Sequence, residues 1–136
     1  DQGIVPVEPK KDAWDLQYGT YVNLFTFNGV VYTVGYKDFI TTNRAGVEAA
    51  MVIEDVISYD AFSIASLDTL QFASATNFIG ENWRNGGGPD AEPSLRTDRF
   101  YIIKDAEENI YKLRFTRLTN ENGERGKPEF EYQIVE

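Results

Sequence analysis

Apolar and polar residues alternate with a period of two along several stretches of this chain, and turn-forming residues separate these stretches. A period of two places successive side chains on opposite faces of a β-strand. The longest example begins at Trp14 and ends at Phe27, where Asn28-Gly29 interrupts it. Because Asn-Gly is the favoured pair of a type I′ turn, the sequence predicts a β-hairpin whose return strand is Val30 to Tyr36.

The C-terminal part of the chain shows the same pattern. Two strand-like runs, Phe100 to Lys104 and Ile110 to Thr116, are joined by a polar connection of hairpin length. In the second run, Tyr111, Leu113 and Phe115 fall on one face. These features predict a second antiparallel hairpin.

The last run alternates Phe130, Tyr132 and Ile134 with Glu131 and Gln133. This pattern is typical of a strand with one face towards a core. We therefore predict a half-buried terminal strand in which Phe130 and Tyr132 are buried.

The middle of the chain, from Thr41 to Asn85, has no clean period. Ile53, Val56 and Ile57 have the spacing of one helix face, so a short helix and short strands both fit. The segment Asn85-Gly86-Gly87-Gly88-Pro89 predicts a loop, because Gly loses backbone entropy in regular structure and Pro lacks an N–H donor.

The length of 136 residues fits one domain, which we assign to residues 12–136 after a tether at residues 1–11. The numbering opens at Asp1 rather than Met, so we expect that a leader preceded it. Hydrophobic residues make up 42% and aromatic residues 14% of the chain, which suits a packed β core. The predicted fold is all-β, a single largely antiparallel β-sandwich or barrel-like domain with short helical turns.

The chain contains no His and no Cys. Catalytic triads, imidazole bases, disulfides and zinc sites built from those residues are therefore excluded. An enzyme would need a carboxylate mechanism, so we predict that the protein is not an enzyme. The formal net charge of −9 argues against nucleic-acid binding, and no apolar run approaches the roughly 18–20 residues that span a bilayer.

Several motifs indicate no special chemistry. The triple glycine lacks the Gly-Lys-Ser/Thr ending of a phosphate-binding loop. Asp105, Glu107 and Asn109 alternate as in a calcium loop, but Ile110 stands where that loop needs Gly. Glu81 with Asp90 or Glu92 fits a solvated acidic surface.

Met51 is the sole methionine of the chain. Its thioether is a soft donor that is able to ligate haem iron, although a lone Met more often serves packing.

The two tryptophans can likewise serve either core packing or ligand stacking. Trp14 is expected in the core, whereas Trp83 borders the glycine loop and is open to a stacking role.

Three stretches together resemble the HmuY family of haem-binding outer-membrane lipoproteins from oral and gut anaerobes. They are Asp12-Ala13-Trp14-Asp15-Leu16, then Thr41-Thr42-Asn43-Arg44-Ala45-Gly46-Val47, and a hairpin over Phe100 to Leu113 followed by Gly123 to Tyr132 with a Gly-x-x-Gly-x-x-x-Phe-x-Tyr ending. The similarity covers nearly the whole chain after the tether.

This resemblance implies an all-β domain that is exposed on, or shed from, the outer membrane and holds haem between two loops with two axial ligands from His or Met. Met51 approximately matches the position of the first ligand. The second is expected between Asn77 and Gly88, a segment that contains neither His nor Met. A five-coordinate site, a Tyr ligand such as Tyr59, and a relative that has lost haem binding all stay open.

The functional prediction is a hemophore-like protein that binds haem for iron acquisition. Met51 is the expected iron ligand, Phe78 and Trp83 are expected to contact the ring, and Arg44 and Arg84 are expected to pair with the propionates. The resemblance implies a surface lipoprotein or secreted protein of an anaerobic Gram-negative bacterium, with an outer-membrane receptor as a further partner. The alternative is a surface module on the same fold that binds a protein or a non-haem ligand.

Overall fold

The computed structural model describes residues 10–11, 13–86 and 92–136. Most of the predicted tether and part of the predicted glycine loop lie outside these residues. Eight strands and one 3-10 helix follow one another along the described chain. In order they are β1 (Leu16–Phe27), β2 (Val30–Thr42), β3 (Glu48–Ile53), the 3-10 helix (Ile64–Thr69), β4 (Arg84–Asn85), β5 (Ser94–Leu95), β6 (Arg99–Lys104), β7 (Ile110–Thr119) and β8 (Arg125–Ile134).

Strands β1 and β2 form the predicted hairpin as a two-stranded antiparallel sheet. Asn28 and Gly29 adopt φ values of 49° and 77°, which the type I′ turn requires at both central positions. The return strand runs to Thr42 rather than Tyr36, because a β-bulge beside Gly19 lets the pairing continue beyond it. The hairpin prediction is confirmed, with a longer second strand.

A four-stranded antiparallel sheet in the order β3-β6-β7-β8 forms the body of the protein. The predicted β6–β7 hairpin is confirmed, with Tyr101 opposite Leu113. In the middle of the chain, where the sequence shows no clean period, the alternative of short strands holds, because Met51 to Ile53 lie in β3 and pair with β6. The possible short helix at Ile53, Val56 and Ile57 does not form, because Ile53 ends β3 and the chain then makes a single turn, in which the Ile57 amide donates to the Ile53 carbonyl at 3.3 Å. The 3-10 helix lies further along the chain.

Each face of this sheet carries a core. On one face, Trp83, Tyr101 and Phe115 belong to a buried cluster. On the other face, Phe100 and Phe62 belong to a second cluster. The prediction of a largely antiparallel all-β domain is confirmed, and in the described residues the four-stranded sheet stays open rather than closing into a barrel.

The prediction that Phe130 and Tyr132 are buried is wrong, because their side chains are 52% and 66% exposed. Both belong to β8, an outer strand of the sheet. Alternation identifies which side chains share a face, but it does not provide a second layer to cover that face. Among the described residues no helix is long and apolar enough to cross a membrane.

Candidate ligand-binding site

Met51 lies in the middle of β3, the other outer strand of the sheet, directly opposite Tyr101 of β6. Its side chain is 39% exposed. The guanidinium Nη1 of Arg99 lies 3.6 Å from the Met51 sulfur, which accepts a weak hydrogen bond from it. The thioether that the sequence marks as a soft donor is therefore accessible and lies beside a cation.

Tyr101 is almost completely buried, and its hydroxyl has no hydrogen-bond partner among the described residues. Burial raises the pKa of the Tyr101 phenol, and the nearby charges of Arg99 and Arg96 only partly oppose that rise. The phenol is consequently neutral at physiological pH. It retains its proton, but its oxygen is buried away from the surface.

Two arginines lie close to Tyr101. Arg99 binds the exposed carboxylate of Asp98 through Nε and Nη2, both at 2.8 Å. Arg96 is held against the short strand β4, where its amide donates to the Trp83 carbonyl at 3.0 Å and its Nε donates to the Arg84 carbonyl at 3.3 Å. Sequence reasoning missed both residues, since only the pairing of β6 with β3 brings Arg99 to Met51.

Trp83 and Phe78, the predicted ring contacts, lie in or against the body core. Trp83 is 1% exposed, and its ring stacks on Phe115 at a centroid distance of 4.3 Å. Its indole Nε1 donates to the Asp38 carbonyl at 3.1 Å. Phe78 is half-buried against the same cluster. Both side chains therefore pack in the core beside Tyr101 and Phe115. Their contact with a porphyrin stays a prediction.

The predicted propionate partners lie apart from Met51. The buried Arg84 donates from Nη2 to the Lys37 carbonyl, and its Nε lies 3.9 Å from the Asp38 carboxylate. Arg44 is exposed and lines a separate groove with Trp14 and Tyr21. The described structure therefore does not bring these two arginines to the Met51 sulfur.

Asp38 connects the hairpin to the body. It occupies the β-bulge with a φ of 53°, and its buried carboxylate accepts hydrogen bonds from Tyr18 and Arg125. Burial by itself raises the pKa of Asp38, but those hydrogen bonds and the charges of Arg125 and Arg84 outweigh it and hold the pKa below its usual value. Burial and the bond to Asp38 raise the pKa of Tyr18 to about 12.

A second concave surface, which we call the aromatic groove, lies between the start of β1 and the outer part of the sheet. It encloses about 420 Å³ and is lined by Trp14, Asp15, Leu16, Ile103, Tyr111, Leu113, Phe130 and Tyr132. Burial, followed by the charges of Asp105, Asp15 and Glu107, raises the pKa of Tyr111. Because these acids are close, the aromatic groove suits an uncharged ligand better than a dianionic porphyrin.

Other donors for a metal are few. Tyr59 is buried, and its hydroxyl donates to the Lys112 carbonyl at 3.2 Å, so this phenol is already engaged. The described residues contain no group of three or more His, Cys, Asp or Glu side chains placed to hold a metal ion.

A protein-family model described as "HmuY protein" matches residues 2–132. The apo HmuY analogue TFO of Tannerella forsythia is 17% identical, with a TM-score of 0.48 over 88% of this chain and 80% of that chain. Apo PinO from Porphyromonas gingivitis is 11% identical, with a TM-score of 0.49 over 95% of this chain and 94% of that chain. A search of curated proteins finds no match to the sequence.

Proposed function

The chain belongs to the HmuY family, and from this membership we propose that it is a surface or secreted haem-binding protein whose iron ligand is Met51. The observation that carries the proposal is the position of Met51, which is partly exposed on β3 and whose sulfur lies 3.6 Å from the Arg99 guanidinium. A soft donor and a cation thus lie side by side, and haem presents iron and carboxylates.

The donor set fits a haem with one axial ligand from this chain. The sequence contains one Met, no His and no Cys. A second sulfur or imidazole ligand is therefore absent from the sequence, and the buried Tyr59 phenol is already engaged with a carbonyl. When bound, haem supplies a redox-active iron, whose reduction potential a thioether ligand raises.

The residues around Met51 suit the remaining polar groups of haem. A chain with a net charge of −9 repels two propionates, so local cations must offset that repulsion. Arg99 and Arg96 are the cations close to Tyr101. The partner that Arg99 now holds, Asp98, is exposed, and an exposed ion pair contributes little to stability. Exchanging that carboxylate for a propionate therefore costs little.

The test is a haem titration followed by Soret absorbance on the parent, Met51→Leu and Arg44→Ala. Leu conserves the volume of Met but removes the sulfur. We expect a saturable Soret shift in the parent, at least a tenfold weaker affinity in Met51→Leu, and no change in Arg44→Ala. Iron-free protoporphyrin is the control ligand, because it should bind the parent and Met51→Leu with equal affinity. Identical haem titrations for parent and Met51→Leu would remove Met51 from the proposal.

The aromatic groove supports a second candidate function, the binding of an uncharged ligand on the same fold. Its four aromatic side chains offer stacking surfaces, and its nearby carboxylates can accept hydrogen bonds from hydroxyl groups. The probe is a neutral glucose pentasaccharide, with binding read from tryptophan fluorescence. Trp14 lines the aromatic groove while Trp83 is buried, so binding in the groove should change the fluorescence of Trp14. A fluorescence change that occurs in the parent and in Met51→Leu but not in Tyr132→Ala would favour this function.

A further inference from the structure

Lys112 of β7 carries a buried ammonium group that no carboxylate neutralises within the described part of the chain. One other cation there is buried, Arg84, and it lies 3.9 Å from the carboxylate of Asp38. The Nζ of Lys112 instead donates to the backbone carbonyls of Tyr59 at 2.7 Å and of Phe62 at 3.3 Å. Carbonyl dipoles solvate an ammonium group, but they do not cancel its charge.

The ring of Tyr59 fixes the position of this ammonium group. The Nζ of Lys112 lies 4.8 Å from the ring centroid, and the Tyr59 hydroxyl donates to the Lys112 carbonyl at 3.2 Å. Arg114, two residues further along the same face of β7, also lies over this ring, with its Cζ at 4.3 Å. Arg114 is paired with the carboxylate of Glu131. Of the two cations that contact the Tyr59 ring, Lys112 is therefore the one without an acidic partner among the described residues.

Lys112 lines a cavity of about 330 Å³ beside the end of β8, which we call the lysine cavity. Gln133 of β8 pairs directly with Lys112, so the two side chains lie on one face of the sheet, and both line the lysine cavity. Ser63 lines it from the start of the 3-10 helix. An ammonium group has three N–H donors, and two of them are engaged by carbonyls. The third donor, the Gln133 amide and the Ser63 hydroxyl can together bind the oxygens of an anion.

The remaining wall of the lysine cavity is largely apolar. It is formed by Phe62, Ile134 and Val135, of which Phe62 and Val135 belong to the second core cluster. The volume lies at the lower end of the roughly 300–1,000 Å³ of ligand pockets, so the cavity suits a small molecule. One cation beside an apolar wall matches a ligand that combines one negative charge with a short hydrocarbon tail.

Charge around the lysine cavity limits the ligand to a single negative charge. Glu136 also lines the cavity and is exposed, and the whole chain carries a net charge of −9. Both repel anions, and this repulsion grows with the charge of the ligand. Salt screens the exposed Glu136 more strongly than the buried Lys112, so a monoanion gains more from the lysine than it loses to the glutamate.

We propose that the lysine cavity binds a small aliphatic monocarboxylate, with its carboxylate on the Lys112 ammonium and its tail against the apolar wall. The carboxylate supplies the counter-charge that the described residues do not provide. Because the ammonium is buried, this attraction acts at a lower effective dielectric constant than it would in water. The inference does not depend on Met51, on haem or on the aromatic groove.

Two lysines give a matched pair of variants. Lys112→Met removes the buried charge and keeps a long unbranched side chain, and apolar replacement of a buried charge is often tolerated. Lys127→Met is the control, because it changes the net charge equally but removes an exposed ammonium that pairs with Glu124. Isothermal titration with sodium butyrate measures binding at constant ionic strength. Butyramide has the same tail without the charge, and inorganic phosphate has the charge without a tail.

We expect saturable butyrate binding in the parent and in Lys127→Met, and at least roughly tenfold weaker binding in Lys112→Met. Butyramide and phosphate should bind the parent more weakly than butyrate, and Glu136→Gln should bind butyrate more tightly. Gln133→Leu, which should also weaken butyrate binding, replaces Lys112→Met if that variant fails to fold. A parent that does not bind butyrate would overturn the proposal. Equal binding by parent and Lys112→Met, or tighter binding of phosphate or butyramide than of butyrate, would overturn it too.

Discussion

The Nε of Arg125 donates a hydrogen bond of 2.7 Å to the carboxylate of Asp38, although the two residues lie 87 positions apart. Arg125 begins β8 and Asp38 lies in the bulge of β2. The buried guanidinium of Arg84 approaches the same carboxylate from β4. This one acidic side chain therefore ties the hairpin to two other parts of the body.

Asp38→Asn should destabilise the fold by about 3 kcal/mol, because it leaves the buried Arg84 guanidinium without a counter-charge. The free energy of unfolding is measured by urea denaturation, and its dependence on urea concentration should be the same in the parent and the variant. Glu129→Gln is the control, since it removes only the exposed pair with Arg117 and should cost less than about 1 kcal/mol. Equal losses in the two variants would contradict the role assigned to Asp38.

The contribution of Asp38 should also depend on pH. Its folded-state pKa lies below the usual value of 3.8, so its stabilisation is present above pH 3.8 and is lost as the pH falls through the folded pKa. The gap in unfolding free energy between the parent and Asp38→Asn should therefore be widest near neutral pH and shrink in acid. A gap that stays constant down to about pH 2 would show that the charge of Asp38 is not the cause.

Two phenylalanines should respond differently to truncation. Phe100 is fully buried and meets Tyr59 and Phe62 edge-on, so Phe100→Ala should cost about 3–5 kcal/mol. Phe130 is half exposed, and Phe130→Ala should cost about 1 kcal/mol, well below what its predicted burial implied. Thermal unfolding of both variants measures the difference. A larger loss at Phe130 would mean that β8 is covered in solution.

If Met51 ligates iron, ferrous haem should bind more tightly than ferric haem, because thioether sulfur favours the reduced metal. Each tenfold difference in affinity corresponds to about 1.4 kcal/mol. Parallel titrations with and without dithionite measure the preference at equal pH and salt. Met51→Leu should abolish it, and a preference of equal size in that variant would assign the effect to another group.

Local sequence signals predicted the hairpins well. Asn28-Gly29 specifies its own turn, and the alternation in β6 and β7 specifies which side chains share a face. The exposure of Phe130 could not be predicted in this way, because it depends on whether another layer of structure lies over an outer strand. The contacts of Asp38 with Arg125 and of Met51 with Arg99 join distant parts of the chain, so they follow only from the strand order.

Strand β8 shows how the open sheet avoids pairing with other molecules at its edge. Pro128 lacks the N–H that an added strand would need, and Lys127, Glu129 and Glu131 place charges along an exposed border. A chain that approached this edge would lose a ladder hydrogen bond and meet those charges. The strand therefore protects the edge of the sheet against edge-to-edge aggregation. We expect Pro128→Val, combined with substitutions that neutralise Lys127, Glu129 and Glu131, to lower the solubility of an otherwise folded protein.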